Sequence, residues 1–372
     1  MNVGIPKETV AGERRVALVP ELVGKLIGAG LEVQVERDAG EAAGFANANY
    51  EERGAQIATS VFEQADIVLK VQPPTVDEIQ VVKDGATLIG FLHPYTNRTG
   101  MEALARRGLT AFAMELMPRI TRAQPMDALS AMSTISGYKA VLLAANRLPK
   151  LFPLLMTAAG TIRPARVFII GAGVAGLQAI GTARRLGAVV EAYDTRPTVQ
   201  EQVESLGAKF VDLGLPTADA EAATGYAKAQ TEEFYQRQRE GLANVLAAAD
   251  VVITTALVPG QPAPVLITAE MVGKMRPGSV IVDLAAEQGG NCALTQPDAE
   301  VVEQGVTILG PMNLPSTVPY HASQMYAQTV TNYLLHLLKE GRLVIDRNDE
   351  LTNGPLVVHA GEIVNPLGEQ GA

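Results

Sequence analysis

The chain has little cysteine and no long apolar run, and each shortage excludes a class of protein. Its 372 residues include one cysteine, Cys292, so no intrachain disulfide can form, which fits a reducing compartment. No stretch approaches about 18 uninterrupted apolar residues, the length typical of a membrane-spanning helix. The N-terminus, MNVGIPKETV, lacks the apolar core of a secretion signal. We therefore expect a soluble protein, which can still dock onto a membrane partner.

Basic residues are outnumbered, with 30 Lys and Arg against 40 Asp and Glu. No basic stripe is evident that would neutralise a phosphate backbone, so we expect no nucleic-acid partner. Several catalytic motifs are missing as well. The sequence has no H-E-x-x-H motif or Cys/His cluster for zinc, no G-x-S-x-G nucleophile motif and no G-x-x-x-x-G-K-[ST] phosphate loop. It therefore indicates no metal site.

Two blocks of alternating strand and helix patterns make up most of the chain. The strand-like runs are MNVGIP, LEVQVERD, ADIVLKVQ, ATLIGFL and LTAFAME in the first block, and ARVFIIGAG, AVVEAYD, AKFVDL, DVVITTAL, SVIVDLA and VTILG in the second. Alternation of this kind predicts parallel sheets covered on both faces. Apolar residues at spacings of three and four predict two long helices, at about residues 127–148 and 322–340.

The predicted fold is α/β, with two doubly wound Rossmann-like domains joined by the two long helices and a cleft between them. Residues 1–128 together with 320–372 form the first domain, to which the C-terminal tail returns. Residues 129–319 form the second domain. Within it, the polar segment 214–241 is long for a connection inside a compact domain, so it is a candidate lid, binding loop or disordered segment.

The strongest local motif opens the second block. Gly171, Gly173 and Gly176 form G-x-G-x-x-G between a strand and a helix, and a second strand follows that ends at Asp194. In this strand–turn–helix–strand–acid context the motif predicts a dinucleotide site. The first glycine makes the turn, the second admits the pyrophosphate, and the third lets helix and strand pack closely. Val174 then opens the helix whose free N–H groups meet the phosphates.

Asp194 bears on which dinucleotide is bound. Its carboxylate would accept hydrogen bonds from the adenosine ribose, which favours NAD(H) over NADP(H) because a carboxylate repels a 2′-phosphate. Arg196 complicates this prediction, since a nearby arginine can accept a 2′-phosphate. A glycine turn that binds no nucleotide is the alternative interpretation.

Two further segments follow strands at their carboxyl ends, where doubly wound folds bind ligands. TTALVPGQPAP contains Ala256 and Leu257, which become candidate cofactor contacts, and VDLAAEQGGNC contains Glu287 and Asn291, which could face a nicotinamide. Turn chemistry around the paired glycines explains the second segment equally well.

A polar stretch, RITRAQPMD, separates an apolar run from the first long helix. Solvation is the simplest explanation of such a loop. Alternatively, its Arg, Gln and Asp side chains hold a ligand rich in donors and acceptors, because Asp127 can accept and Arg119 can donate. Asp127 could also act as the N-cap of the helix. For Arg122 only solvation applies.

Strand ends in the first block carry another candidate set, Arg14, Arg15, Lys70 and His93. Such side chains could bind a carboxylate substrate and move a proton. Each could equally be an ordinary polar residue at the end of a strand.

Taken in order, eight segments resemble the NAD(H)-binding domain, domain I of the alpha subunit, of proton-translocating NAD(P)+ transhydrogenase, over essentially the whole chain. The segments are GIPKE with ERRVALVP, VLKVQPP, RITRAQPMDALS, GAGVAGLQAI, YDTRP, VESLGAKF, TTALVPGQPAPVLIT and VDLAAEQGGNC. Alanine dehydrogenases share the fold and several of these motifs but lack the RITRAQPMD loop.

The resemblance implies that Arg119, Gln124, Asp127 and Ser130 line the nicotinamide, with Gln124 positioned to meet a second nucleotide as well. It implies direct hydride transfer from NADH on this chain to NADP+ on a partner subunit. Such transfer needs the two reacting carbons about 3–3.5 Å apart, so the loop must be open to the partner.

The resemblance also implies a mobile loop that closes over bound nucleotide within the polar segment. Gly225, Tyr226 and Gln238 would then touch the cofactor. A lid must be weakly packed when open, which a polar, alanine-rich segment supplies.

Partners follow from the same resemblance: a second copy of the chain in a homodimer, membrane-spanning subunits that carry the proton channel, and an NADP(H)-binding domain. The chain would be cytoplasmic and peripheral at the inner face of the cell membrane. A soluble NAD-dependent alanine dehydrogenase is the alternative, because His93, Lys70 and Arg15 resemble the catalytic His and substrate cations of those enzymes and Glu287 replaces their Asp. We interpret that set as an ancestral remnant. A nucleotide-binding module without chemistry is a third hypothesis.

Overall fold

The computed structural model describes residues 1–215, 230–258 and 260–364. The predicted lid residues Gly225 and Tyr226 lie outside these ranges. The chain divides into two compact units, Met1–Met132 with Pro315–Ala372 as the first and Ser133–Leu314 as the second.

The N-terminal portion of the first unit alternates strands and helices. Its strands are β1 (Asn2–Ile5), β2 (Glu32–Glu36), β3 (Gln56–Ala58), β4 (Ile67–Leu69), β5 (Thr87–Gly90) and β6 (Thr110–Ala113). Its helices are α1 (Pro20–Gly28), α2 (Asn47–Glu51), α3 (Val76–Val81) and α4 (Arg98–Arg106). Strand β3 has no counterpart among the predicted strands, because three half-exposed residues are too few to show a period.

The first long helix, α5 (Ala128–Arg147), leads into the second unit and confirms the helix predicted there. The strands that follow are β7 (Leu155–Thr157), β8 (Gly160–Ile162), β9 (Arg166–Ile170), β10 (Val189–Tyr193), β11 (Lys209–Phe210), β12 (Val251–Thr254), β13 (Val280–Asp283), β14 (Glu300–Glu303) and β15 (Val306–Leu309). The helices are α6 (Val174–Arg185), α7 (Gln200–Ser205), α8 (Glu232–Ala248) and α9 (Ala269–Gly273).

The second long helix, α10 (Pro319–Leu337), begins slightly earlier than predicted, because a proline fits the first helical position. The tail then forms β16 (Leu338–Lys339), β17 (Arg342–Leu343), α11 (Glu350–Asn353), β18 (Leu356–His359) and β19 (Glu362–Ile363). Strand β18 pairs antiparallel with β6, so the tail completes the sheet of the first unit.

Each unit has a sheet of the doubly wound kind. The first has the order β19-β18-β6-β5-β4-β1-β2-β3, and the six strands from β6 to β3 run parallel. The second has the order β11-β10-β9-β12-β13-β15-β14, parallel except for β14. In both sheets the strand order reverses next to the first strand of the parallel set, which is where such folds bind ligands. The predicted α/β class is confirmed.

Strand β9 shows why these sheets read as continuous apolar runs in the sequence. Val167 and Ile169 belong to the core cluster on one face, whereas Phe168 and Ile170 belong to the cluster on the other. A parallel strand covered by helices on both sides must be apolar at every position.

Helix α5 is long and apolar enough to cross a membrane by length and composition alone, with an 18-residue window of mean hydropathy 1.2 that is 39% buried. Its second half belongs to the core of the second unit through Ala140, Val141 and Ala144. Gly137 permits close packing, since a Cβ there would lie 2.1 Å from the Ala175 carbonyl oxygen. We interpret α5 as an interior helix.

The polar segment 214–241 is not a continuous irregular connection, which corrects the prediction. Helix α8 covers its last ten residues and continues to Ala248. Thr231 caps this helix by accepting a hydrogen bond from Phe234 N–H, and Glu232 and Glu233 follow in the first turn. A threonine cap before two acidic residues is a helix-start signal that could have been recognised in the sequence.

Candidate functional site

The glycine turn after β9 has the conformation that its motif predicts. Gly171 has a φ of +95°, which residues with a side chain rarely adopt. A Cβ at Gly171 would lie 2.5 Å from Thr255 Oγ1, and one at Gly176 would lie 1.9 Å from the Gly171 carbonyl oxygen. Glycine at both positions therefore allows α6 to approach the end of the strand.

Gly173 differs from its two companions because the space beside it is open. It is the N-cap of α6, with extended backbone and no side-chain cap. Among the described residues, the one atom within 4 Å of a Cβ placed there would be Arg196 Nη2, at 4.0 Å. The first N–H groups of a helix lack intrahelical acceptors and carry the positive end of its dipole. The turn from Gly173 to Val174 can therefore bind an anion such as a pyrophosphate.

Asp194 is buried at the end of β10, and both of its carboxylate oxygens accept hydrogen bonds. Ala172 N–H donates to Oδ2 at 2.7 Å, and Arg196 N–H donates to Oδ1 at 2.8 Å. The Arg196 guanidinium adds two bonds, from Nε to Oδ1 at 2.9 Å and from Nη2 to Oδ2 at 2.8 Å. A carboxylate compensated in this way repels a 2′-phosphate less than the bare acid assumed from the sequence.

Asn291 joins the loops that follow β12 and β13. Its Nδ2 donates to the Ala256 carbonyl at 2.8 Å and to the Pro264 carbonyl at 2.9 Å, and its Oδ1 accepts from Ala256 N–H at 3.0 Å. The side chain is fully buried. Both of its amide hydrogens are used, so direct contact between Asn291 and nicotinamide stays a prediction that needs these loops to separate.

The other residues predicted from these two loops are more accessible. Glu287 is exposed, and its Oε1 accepts from Asn313 N–H at 3.1 Å. Leu257 is half-buried. Gly289 and Gly290 have φ values of +98° and +86°, so turn geometry by itself accounts for the paired glycines.

Gln238 lies on α8 and faces the end of β10. It is buried, and its Nε2 donates to the Tyr193 hydroxyl at 3.1 Å. Its Oε1 has no hydrogen-bond partner in the described portion of the chain. Burial raises the pKa of Tyr193 to about 12, against the Gln238 hydrogen bond, which lowers it. Gln238 thus lies next to the strand end that carries Asp194, with an acceptor oxygen available.

The stretch RITRAQPMD forms a short 3-10 helix over Thr121–Met126, directly before α5. Asp127 caps α5, because its Oδ1 accepts from Ser130 N–H at 2.8 Å and its Oδ2 from Ser130 Oγ at 2.5 Å. The capping alternative is therefore confirmed. Arg119 and Gln124 are exposed on this segment.

Arg122 does more than solvate the loop, which corrects its interpretation. Its Nη2 lies 3.1 Å from Asp349 Oδ1 and 3.4 Å from Glu350 Oε1, at the start of α11. Asn332 on α10 adds a bond from its Nδ2 to the Pro125 carbonyl at 2.8 Å. These contacts hold the exposed 3-10 helix in place from two elements of the C-terminal segment.

Two matches to known families extend over most of the chain. Residues 4–136 match the family described as alanine dehydrogenase/PNT, N-terminal domain. Residues 140–366 match alanine dehydrogenase/PNT, C-terminal domain.

The chain belongs to the alanine dehydrogenase/PNT family.

Transhydrogenase members of this family are more similar to the chain than the alanine dehydrogenases compared with it. It is 50% identical over 386 residues to an NAD(P) transhydrogenase subunit alpha protein of Rhodospirillum rubrum, covering 100% of both proteins. It is 31% identical to alanine dehydrogenase of Halomonas elongata, covering 98% of this chain and 94% of that protein. The crystal structure of transhydrogenase from Sinorhizobium meliloti is 43% identical, with a TM-score of 0.88, and covers 98% of this chain and 100% of that one. The resemblance to transhydrogenase is confirmed.

In this member of the alanine dehydrogenase/PNT family, two buried cations of the first unit are paired with carboxylates. Arg15 Nε and Nη2 donate to Glu13 at 2.8 and 2.6 Å. Lys70 Nζ lies 3.4 Å from Glu8 Oε2 and 3.3 Å from Glu78 Oε1. Burial raises the pKa of Glu8, whereas burial of Glu13 is outweighed by Arg15, which lowers that pKa to about 2. The cluster neutralises its own charges.

The remaining candidates of the first unit are more exposed. His93 is half exposed and has a φ of +51°. Its Nδ1 lies 4.0 Å from Glu115 Oε1, and burial raises the pKa of Glu115. Arg14 is exposed, with Nη2 3.5 Å from the Ala42 carbonyl oxygen.

Sequence reasoning missed two carboxylates that organise these sites. Glu13 precedes Arg15 by two residues, and Asp283 lies at the start of the VDLAAEQGGNC motif. Both are buried, which is unusual for acids and follows only from their tertiary contacts. Their position inside motifs already recognised was the one available signal.

Proposed function

We propose that this chain is the NAD(H)-binding subunit of a proton-translocating transhydrogenase. Its NADH passes hydride directly to NADP+ held by a partner subunit, and the transfer is coupled to proton movement through membrane-spanning subunits. NAD(H) is the cofactor of this chain, and NADP(H) is bound by the partner. Active only with its partners, the chain works as a component of a complex.

The observation that carries the proposal is the fit of the glycine turn to a dinucleotide. Gly171 and Gly176 leave no room for a side chain, whereas Gly173 has open space at the start of α6. The helix start would hold the pyrophosphate, and Asp194 would hold the adenosine ribose. The relative from Rhodospirillum rubrum is named for the same activity over its full length.

The RITRAQPMD segment supplies the groups for the nicotinamide end. Arg119 and Ser130 would donate to the carboxamide, and Asp127 would accept from it while capping α5. Gln124 is exposed on a segment held by Arg122, so its amide is available to a nucleotide brought by another protein. An exposed, anchored amide suits a surface at which two nucleotides on different proteins must meet.

Pairing of two copies belongs to the proposal, and a hairpin in the second unit supports it. Within the described residues, strands β7 and β8 pair with each other alone, and all six of their residues are exposed. Met156 is 78% exposed, and Leu154 and Ile162 are exposed beside it. An apolar hairpin of this kind can add to a second copy, and two-fold pairing is the commonest oligomeric arrangement.

The complex would place the chain in the cytoplasm, peripheral at the inner face of the cell membrane. This location rests on the relatives, which are named as subunits of NAD(P) transhydrogenase. Proton movement itself would occur in the membrane-spanning partners. The chain contributes the hydride donor and the surface that presents it.

Alanine dehydrogenase is the alternative function, and the charge balance of the first unit argues against it. Such an enzyme needs cations available to the substrate carboxylate. Here Arg15 is held by Glu13, and Lys70 lies between Glu8 and Glu78. Three acids around two cations would repel an incoming carboxylate.

A mixing experiment tests the proposed function. The purified chain is incubated with NADH, an NADP(H)-binding transhydrogenase domain and an oxidised nucleotide analogue whose reduction shifts its absorbance. Hydride exchange that requires both proteins is the expected result. Turnover of alanine and NAD+ by the chain alone, or no exchange after both proteins have bound their nucleotides, would overturn it.

A further inference from the structure

Asp283, at the end of β13, is a buried carboxylate surrounded by five hydrogen-bond donors. Its side chain is fully buried. The donors are Thr254 Oγ1 at 2.8 Å and Ala285 N–H at 3.0 Å to Oδ1, and Asn291 N–H at 2.7 Å, Cys292 N–H at 3.0 Å and Thr295 Oγ1 at 2.6 Å to Oδ2. No ion pair to Asp283 occurs in the described ranges of the chain, so hydrogen bonds alone compensate the buried charge there.

The loop after β13 is shaped around this carboxylate. A Cβ at Gly290 would lie 2.9 Å from Asp283 Oδ2, so the glycine is needed for the chain to pass so close. An ionised carboxylate accepts at both oxygens, whereas an amide would turn two hydrogens toward donors that already point inward. The charge therefore has a specific use: it gathers the loop from Ala285 to Thr295 onto one point.

Asn291 extends the arrangement to the loop after β12. Its backbone N–H is held by Asp283, and its side chain then bonds the N–H and carbonyl of Ala256 and the carbonyl of Pro264. Thr254, the last residue of β12, donates to the same carboxylate. One acid thus fixes both loops at the carboxyl ends of two adjacent strands.

We propose that Asp283 is the positioning residue for the nicotinamide half of the cofactor site, acting through Asn291 on the backbone of Ala256. The inference rests on the proposed function, since it assumes that NADH binds at this edge of the sheet. In a doubly wound fold the adenosine half lies against the glycine turn and the strand that follows it, here β9 and β10. The nicotinamide half then lies toward β12 and β13, where Asp283 holds the loops.

This division of the site makes the test selective. Binding of NADH and of ADP, a probe of the adenosine half alone, is measured by calorimetry for wild type and Asp283→Asn. The NADH dissociation constant should rise about tenfold, or about 1.4 kcal/mol, while the ADP dissociation constant stays within about twofold. A rise shared equally by both ligands, or unchanged NADH binding, would overturn the proposal.

Asp250→Asn is the matched control. Asp250 is a buried acid at the opposite end of β12, where it accepts from Arg166 N–H and pairs with Lys150. Its substitution should lower the melting temperature and leave both dissociation constants unchanged. A selective loss of NADH binding in this control would show that any buried acid has the same effect, which contradicts the inference.

Asn291→Ala keeps the proposal testable where Asp283→Asn does not fold. It leaves the carboxylate and removes the connection to Ala256, so it should reproduce the selective loss of NADH. Equal binding of NADH by this variant and wild type refutes the relay. A wild-type chain that binds ADP but not NADH overturns the proposed function itself, and does so before any variant is compared.

Discussion

The guanidinium of Arg196 covers the carboxylate of Asp194, the acid that would hold the adenosine ribose. Two side-chain bonds of 2.9 and 2.8 Å join them, and backbone N–H groups bind the same oxygens. The carboxylate is therefore oriented by the backbone and neutralised by the side chain. A nucleotide that binds here must share or displace the guanidinium, so the discrimination between NAD(H) and NADP(H) belongs to the pair.

Arg196→Ala should sharpen the preference for NADH. Without the guanidinium, the negative charge of Asp194 repels a 2′-phosphate and its oxygens are available to the ribose hydroxyls. We expect the ratio of the NADPH to the NADH dissociation constant to rise about tenfold, the equivalent of about 1.4 kcal/mol. Asp194→Ala should abolish the preference. Arg185→Ala, at an exposed arginine of α6, is the control, and an unchanged ratio in Arg196→Ala would contradict the prediction.

Gly173→Ala and Gly176→Ala should fail in different ways. At Gly173 a methyl group has space in the protein but would occupy the approach of the pyrophosphate, so stability should hold and NADH affinity should fall. At Gly176 the methyl group would meet the Gly171 carbonyl at 1.9 Å, so the protein itself should be destabilised. Thermal melting and NADH titration separate the two effects. Gly181→Ala, where no atom of the described residues lies within 4 Å of the added Cβ, is the control that should change neither affinity nor fold.

Gln124→Asn should slow hydride transfer without weakening NADH binding. The shorter side chain misplaces the amide by about 1 Å, and misplacement of that size can lower a rate by about 100-fold. Stopped-flow transfer to the NADP(H)-binding partner, alongside NADH titration, measures both quantities. Gln80→Asn, at an exposed glutamine of α3, should leave both unchanged. A wild-type transfer rate in Gln124→Asn would show that the loop merely solvates the surface.

Met156→Asp should weaken the proposed dimer. The methionine is the most exposed apolar side chain of the β7–β8 hairpin, and a buried unpaired carboxylate is unfavourable in an interface. Sedimentation at micromolar concentration should show a dimer for wild type and a monomer for the variant. Val302→Asp places the same charge at another exposed apolar residue, on β14, and should leave the dimer intact. A monomeric wild type would rule out the homodimer.

Acid should destabilise the protein through Glu13. Burial by itself raises the pKa of this carboxyl, but the hydrogen bonds and charge of Arg15 outweigh it and lower the pKa to about 2. Because the folded pKa is below the unfolded value of about 4.3, the pair stabilises the fold above that pH and its contribution disappears as the pH falls toward about 2. The contribution at neutral pH is on the order of 3 kcal/mol.

Denaturant unfolding from pH 7 to pH 2 measures this contribution. Glu13→Gln should be less stable than wild type at pH 7, because Arg15 would be buried with its partner removed. The difference between the two proteins should narrow as the pH falls below about 4.3, where wild type begins to protonate Glu13. A constant difference across the whole range would show that Glu13 does not titrate in this window.

The sequence alone determined the α/β class, the two long helices and the glycine turn. These features are local, because strand and helix periods and the sterics of G-x-G-x-x-G act over a few neighbouring residues. Family membership followed from the same motifs. Segment 214–241 was the main local error, since its polar composition concealed the start of α8 at Glu232.

Tertiary structure decided which charges are available and which are already paired. Arg122 meets Asp349 across 227 positions of the chain, Lys150 meets Asp250 across 100, and Thr254 meets Asp283 across 29. No short-range pattern predicts such contacts, because they depend on which strand ends and helices the fold brings together. The motif residues could be interpreted as ligands from their types alone, but whether Asp194 acts alone or with Arg196 depends on where the guanidinium folds back.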